Sequence, residues 1–303
     1  MSPFFLPGES PDPLYVALRD RAHTKALRVE VEAMWNIFEP YADSSFRRAA
    51  MQQFHQRYWE MYVAVALLHR GHAITKHGDD GPEFSFQVNG QRVWLEAVAP
   101  TRGLGADAVP EITCGKYYNV PVEQILLRFT NAFREKQQRF AAARSKGIVK
   151  SEDAYILAIN SQGVPHAPYS GTVPFYIMAL LPFGSLTMEI DTATGRAVDT
   201  YHNYRPEVQK SNGAEVSTRA FLCPSSAFCS GVLHSAVDAA NHPQEAGGDF
   251  SLLHNPSATH QIGSEVFPWT EQFTFSGQQL HTASRAQMKP NSSIEQTHSD
   301  KPA

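Results

Sequence analysis

Cysteine is scarce in this 303-residue chain. Its three cysteines, Cys114, Cys223 and Cys229, are too few for a disulfide framework and fit a reducing compartment. Charge is thin as well. Asp, Glu, Lys and Arg make up 18% of the residues, below the roughly 25% usual for soluble domains, so much of the chain is expected to be buried. Neither sign dominates. A formal net charge of −4 excludes a basic nucleic-acid coat, though not a local basic groove. Long apolar runs are missing too: Phe175 to Leu186, the longest, is broken by Pro182 and Gly184 and is too short to span a bilayer. The first residues lack the basic start and apolar stretch of a signal peptide, so a cytoplasmic protein with no membrane partner is expected. P-loop, G-x-G-x-x-G, G-x-S-x-G and H-E-x-x-H motifs are absent, which removes support for nucleotide-dependent and serine-hydrolase chemistry. What the chain does have is 42% apolar residues, enough for a sizeable core in one large or two ordinary domains.

Apolar spacing predicts an amphipathic helix over Leu14 to Tyr41, with Leu18, Leu27, Val31 and Met34 on one face. Asp43-Ser44-Ser45 offers a capping start for a second helix running to about Arg70 and stopping at Gly71. Three strands follow, at His72 to Lys76, Glu83 to Val88 and Gln91 to Ala99. Asn89-Gly90 between the last two is the strongest short hairpin signal, because both residues tolerate positive φ. A long helix from about Val122 to Lys146 precedes a buried strand at Ala154 to Asn160. Further strands are expected at Phe175 to Leu181, Thr187 to Asp191, Ala197 to Tyr201, Cys229 to Leu233 and Phe250 to His254, with a polar, disordered tail from Ser276. The fold class is therefore α+β or mixed α/β. An N-terminal helical extension (1–44) and a core (45–160) are followed by a strand-rich continuation of the same domain (161–275) and the tail (276–303).

The hairpin carries the chemistry. A two-residue Asn89-Gly90 loop pairs Val88 with Gln91, and continuing that register sets Glu83 opposite Glu96. Opposed side chains share a face with Cβ atoms about 5 Å apart, and two carboxylates so close repel unless a proton or cation lies between them. A hard divalent ion, Mg²⁺ or Mn²⁺, takes one or two such oxygens together with water and substrate phosphate. The competing reading is a bulge that breaks the register, or two acids flaring into solvent. Glu60, the one charge in the apolar run Tyr58 to Leu68, needs a partner: either Arg57 one turn earlier, or the hairpin face, where it would be a third ligand. Lys136 falls on the apolar stripe of the long helix with Phe129, Phe133 and Phe140. It either snorkels or aims at the acids.

The order helix, three strands, helix, strand, with Gly81-Pro82-Glu83 and Leu95-Glu96-Ala97-Val98, resembles the PD-(D/E)xK phosphodiesterase superfamily, the restriction-endonuclease-like fold. The resemblance covers roughly residues 45 to 160. It implies that Glu83 and Glu96 are catalytic acids holding Mg²⁺ or Mn²⁺, with Glu60 similar to the acid that many members carry on the first helix. One departure matters: where the family has lysine two residues after the second acid, this chain has Val98, which can neither stabilise an anion nor orient water. Some members carry that lysine on the following helix, and Lys136 is the candidate here. Arg92 and Arg102 would hold backbone phosphates, or are ordinary solvated surface. The function implied is a metal-dependent nuclease acting on nucleic acid, DNA before RNA. The alternatives are an inactive nuclease-like protein that binds nucleic acid or a protein partner, and an unrelated α/β protein with accidentally opposed acids. The first two differ in whether Lys136 reaches the acids.

Other clusters carry less. Asp79 and Asp80 before Gly81-Pro82 read as turn residues or as substitute ligands. Cys223, Cys229, His234 and His242 lack the tight pair spacing of a zinc site. His72 and His77 read as surface residues, and Lys210, Asn212 and Gly213 as a turn between strands.

Overall fold

The computed structural model describes residues 2–77, 81–117, 119–168, 171–276 and 279–283. Asp79 and Asp80 lie outside them. Four helices open the chain: α1 Pro13–Asp20, α2 Lys25–Phe38, α3 Phe46–Ala50 and α4 Phe54–His69. Strands β1 Thr75–Lys76, β2 Phe84–Val88 and β3 Gln91–Val98 lead into α5 Val122–Ser145 and β4 Ala154–Asn160. Then come α6 Phe175–Met178, β5 Phe183–Asp191, β6 Arg196–Tyr204, β7 Glu207–Gln209 and β8 Glu215–Ser217. The last elements are β9 Gly231–Ser235, β10 Ser251–His254, β11 Glu271–Ser276 and β12 Gln279–Ala283.

Eight strands form one mixed sheet in the order β1-β2-β3-β4-β9-β10-β11-β12, while β5-β6 and β7-β8 are separate two-stranded ribbons. The class is mixed α/β. Strand alternation sends Val93, Leu95 and Ala97 of β3 into a core shared with α4 and the N-terminal helices. Trp94 of the same strand joins Tyr155, Leu157 and Ile159 of β4 in a second core beneath α5 and α6. Trp59 of α4 ties helix to sheet by donating its indole N–H to the Ala158 carbonyl at 3.0 Å.

The hairpin register is as expected, from Val88 opposite Gln91 to Phe84 opposite Leu95. Asn89 (φ 50°) and Gly90 (φ 81°) both take the left-handed conformation that a tight hairpin turn requires. The strand β4 has its expected bounds, and α5 ends one residue before the expected Lys146. Gly213 closes a turn onto the Lys210 carbonyl between β7 and β8, with Asn212 accepting from Ala214.

Several expectations need correction. The single helix over Leu14 to Tyr41 is two helices, α1 and α2. Arg21 is extended (φ −81°, ψ 136°), and the Thr24 hydroxyl donates to the carbonyls of Ala17 and Arg21. The second helix likewise breaks between α3 and α4. There the Asp12 carboxylate, which caps α1 by accepting from Leu14 and Tyr15, also accepts from Phe54 at 2.9 Å. A cap supplied from a distant segment leaves no local trace. Of the strand at His72 to Lys76 only Thr75–Lys76 forms.

The largest error is Phe175 to Leu181, which is not a strand: α6 and a following turn occupy it. An unbroken apolar run has no period, and here every residue from Phe175 to Leu181 is buried whatever its phase. In the β5-β6 hairpin β5 starts earlier than expected, at Phe183, and ends at Asp191 as expected, while β6 runs longer, from Arg196 to Tyr204. β12 lies within the stretch read as a tail, because Leu280 pairs with Phe275 on β11 and packs against the second core.

Candidate functional site

Three of the sequence-nominated residues meet on the α5 side of the hairpin. Glu96 projects from β3 toward α5, its side chain 5% exposed. Glu83 stands one residue before β2 and is 17% exposed. Its Oε2 accepts the Ala97 N–H at 3.0 Å, which fastens the acid across the hairpin beside Glu96. Lys136 descends from the middle of α5. Its Nζ bonds directly to Glu96 Oε1 and lies 3.9 Å from Glu83 Oε1. Val98 packs into the cluster beneath α5, so the cation at this site comes from the helix and not from the strand.

Burial opposes the charges of the pair. Burial pushes the Glu83 carboxyl up to about 7, and the neighbouring Glu96 adds to the rise; Lys136 and the Ala97 N–H act against it. A cleft of about 450 Å³ opens over Glu96, with Gly81, Pro82 and Phe140 among its walls. Arg139, 75% exposed, reaches within 3.9 Å of Glu96 Oε1 from one turn beyond Lys136. Arg139 was not among the expected site residues; its one signal in the sequence is the i+3 position relative to Lys136, which makes it a neighbour on the same helix.

Glu60 is placed differently. Its side chain is 1% exposed, with Arg57 at 2.6 Å from one oxygen and Lys76 at 2.7 Å from the other. Both oxygens are thus engaged by cations, and Lys76 had no part in the expectation from sequence. Burial raises the Glu60 pKa, Arg57 and Lys76 oppose that rise, and the charge of Glu83 reinforces it. Glu60 therefore borders the pair electrostatically while its own bonds go elsewhere.

Arg92 and Arg102 stay apart from the acids. Arg92 lies four residues from Glu96 along β3, about 13 Å, with its guanidinium over the Trp94 ring. Arg102 is fastened to its own loop by the Val109 carbonyl (3.1 Å) and Glu111 (2.8 Å).

The remaining nominees are scattered. Cys229 is buried, its thiol pushed up to about 12 by burial, and His234 stacks on Tyr176 with ring centroids 4.3 Å apart. His242 pairs with Glu30. His77 is partly buried against Trp94 and bonds to the Ser85 hydroxyl, and His72 packs on Phe86, so neither is simple surface. Among the described residues, no group of three or more His, Cys, Asp or Glu side chains is arranged to hold a metal ion. No helix among them is long and apolar enough to cross a membrane. Compared with protein-family models, with curated proteins and with solved structures, the chain matches none.

Proposed function

We propose that this protein is a metal-dependent nuclease that hydrolyses phosphodiester bonds of nucleic acid, DNA before RNA, on a divergent restriction-endonuclease-like core. The observation that carries the reading is the convergence of Lys136 on Glu83 and Glu96. A helix supplies the lysine that Val98 cannot, to two acids held on adjacent strands.

The donor set fits a hard divalent cation. Glu96 offers carboxylate oxygens at the wall of an open cleft, Glu83 stands beside it across the hairpin, and Mg²⁺ needs only one or two protein carboxylates when water and phosphate complete its shell. Bound there, Mg²⁺ or Mn²⁺ would supply an activated water and offset charge on the phosphate. The Ala97 N–H orients Glu83. Lys136, buried and preorganised, holds positive charge where an anionic transition state develops. Arg139 stands at the rim, where a phosphate enters.

One observation favours the alternative, a nuclease-like protein that binds nucleic acid or a protein partner without cutting. Lys136 bonds Glu96 directly, so the pair already has a resident cation. Calorimetric titration of Mn²⁺ into the wild type and into Glu96→Ala separates the two. Saturable binding that the variant loses supports the metal site, and nuclease assays with Lys136→Ala as control then follow. No binding to either protein transfers the proposal to the inactive reading.

A further inference from the structure

We infer that the β5-β6 ribbon is a self-association arm that packs, apolar face to apolar face, against the same ribbon of a second copy of this chain. The ribbon runs over Phe183–Asp191 and Arg196–Tyr204, nine residues a strand, and joins no other strand among the described residues. A lone two-stranded hairpin is marginal in water because it has nothing on which to bury a face. This one nevertheless has a face to bury. Leu186, Met188 and Ile190 alternate along β5 and are 49%, 57% and 53% exposed. Ala197 pairs with Ile190, and Val198, the extra residue at the adjoining bulge, is 65% exposed.

Area and charge together choose the occupant. Leu186, Met188, Ile190 and Val198 leave roughly 400 Å² of apolar surface uncovered, within the range of the largest patch on an ordinary monomer. A standard interface takes about 800 Å² per partner, somewhat over half of it apolar, so one such ribbon supplies most of the apolar share. The charges weigh against two competitors. Alternation sends Glu189 and Asp191, with their partners Asp199 and Arg196, to the opposite face, so the apolar face offers no cation to a phosphate backbone or an anionic lipid surface. A second copy brings an identical apolar face and needs no foreign complement.

Sedimentation velocity of the full chain across the micromolar range tests the inference. The wild type is expected to show a monomer–dimer equilibrium. The triple variant Leu186→Thr, Met188→Thr, Ile190→Thr keeps strand-favouring residues and is expected to weaken dimerisation at least about 100-fold with an unchanged far-UV circular dichroism spectrum. Val29→Thr, which removes an equally exposed apolar residue on α2, is expected to leave the equilibrium alone. A wild type that stays monomeric throughout overturns the inference, as does a dimer that survives the triple substitution. A monomeric wild type that binds phosphatidylcholine vesicles, with the triple variant failing to bind, overturns it in favour of a lipid surface.

Discussion

Replacing Glu83 by Gln isolates the energetic cost of holding two acids together. Gln keeps an oxygen for the Ala97 N–H and gains an amide able to donate to Glu96, so the hairpin geometry is retained. The charge alone disappears. In the folded protein the Glu83 carboxyl titrates near 7, against an ordinary value of 4.5. At this site the folded state therefore binds more protons than the unfolded chain between these values, and the contribution of Glu83 to stability falls as pH rises through that window. Below it both states are protonated and nothing is lost; above it the full cost applies, about 3 kcal/mol by linkage. Urea unfolding at about pH 4.5 and at about pH 8.5 reads the effect. Glu83→Gln is expected to match the wild type at the acid end and to exceed it by up to about 3 kcal/mol at the alkaline end. A variant less stable than the wild type at alkaline pH would refute the reasoning, since Glu83 would then be a stabilised anion and not a strained one.

Three further outcomes follow from the geometry. Glu60→Ala leaves Arg57 and Lys76 without their shared buried anion and is expected to cost about 3–5 kcal/mol in urea unfolding, whereas Arg102→Ala, which opens an exposed pair with Glu111, is expected to cost under about 1 kcal/mol. His234 is held neutral by burial, its pKa lowered to about 3, so the unfolded chain takes up the proton first as pH falls below the ordinary 6.5. The His234 contribution to stability is then expected to drop by about 2 kcal/mol between neutrality and about pH 5, read as the change in the difference between wild type and His234→Phe over that interval. Asp12→Ala strips a cap from α1 and from α4 together and is expected to lower stability by about 2 kcal/mol, twice the usual value of one cap.

What was legible in the sequence, and what was not, divides along the range of the forces involved. Asn89-Gly90 set the hairpin register because turn stereochemistry is local, and that register carried Glu83 to Glu96. Lys136 was visible as a charge on an apolar stripe, although only the packing of α5 over β3 shows which acid it meets. Lys76 was not visible as a partner of Glu60, because a salt bridge across sixteen residues has no signature in spacing. Phe175 to Leu181 failed for a different reason. Complete burial removes the alternation by which helix and strand are told apart, so the segment's place between α5 and the sheet decided its form. Arg92 shares a strand with Glu96, but position on a strand fixes the face and leaves about 13 Å between them.

The proton at Glu83 also sets how a divalent cation binds at the proposed site. Metal and proton compete for the same carboxylate, so occupancy of the site releases the proton. With the Glu83 carboxyl near 7, apparent Mn²⁺ affinity is expected to be flat above about pH 8 and to fall about tenfold per pH unit below about 6.5. Lys136 does not cancel this slope. It is already in place at Glu96, and the rise at Glu83 persists in its presence. Calorimetry in two buffers of different ionisation enthalpy counts the protons directly: close to one per Mn²⁺ near pH 6, close to none near pH 8.5. Glu83→Gln is expected to bind more weakly and to lose the proton release together with the slope. Binding that is independent of pH from about 5.5 to 8 would place the cation away from Glu83 and sever the acid pair from any phosphodiester chemistry.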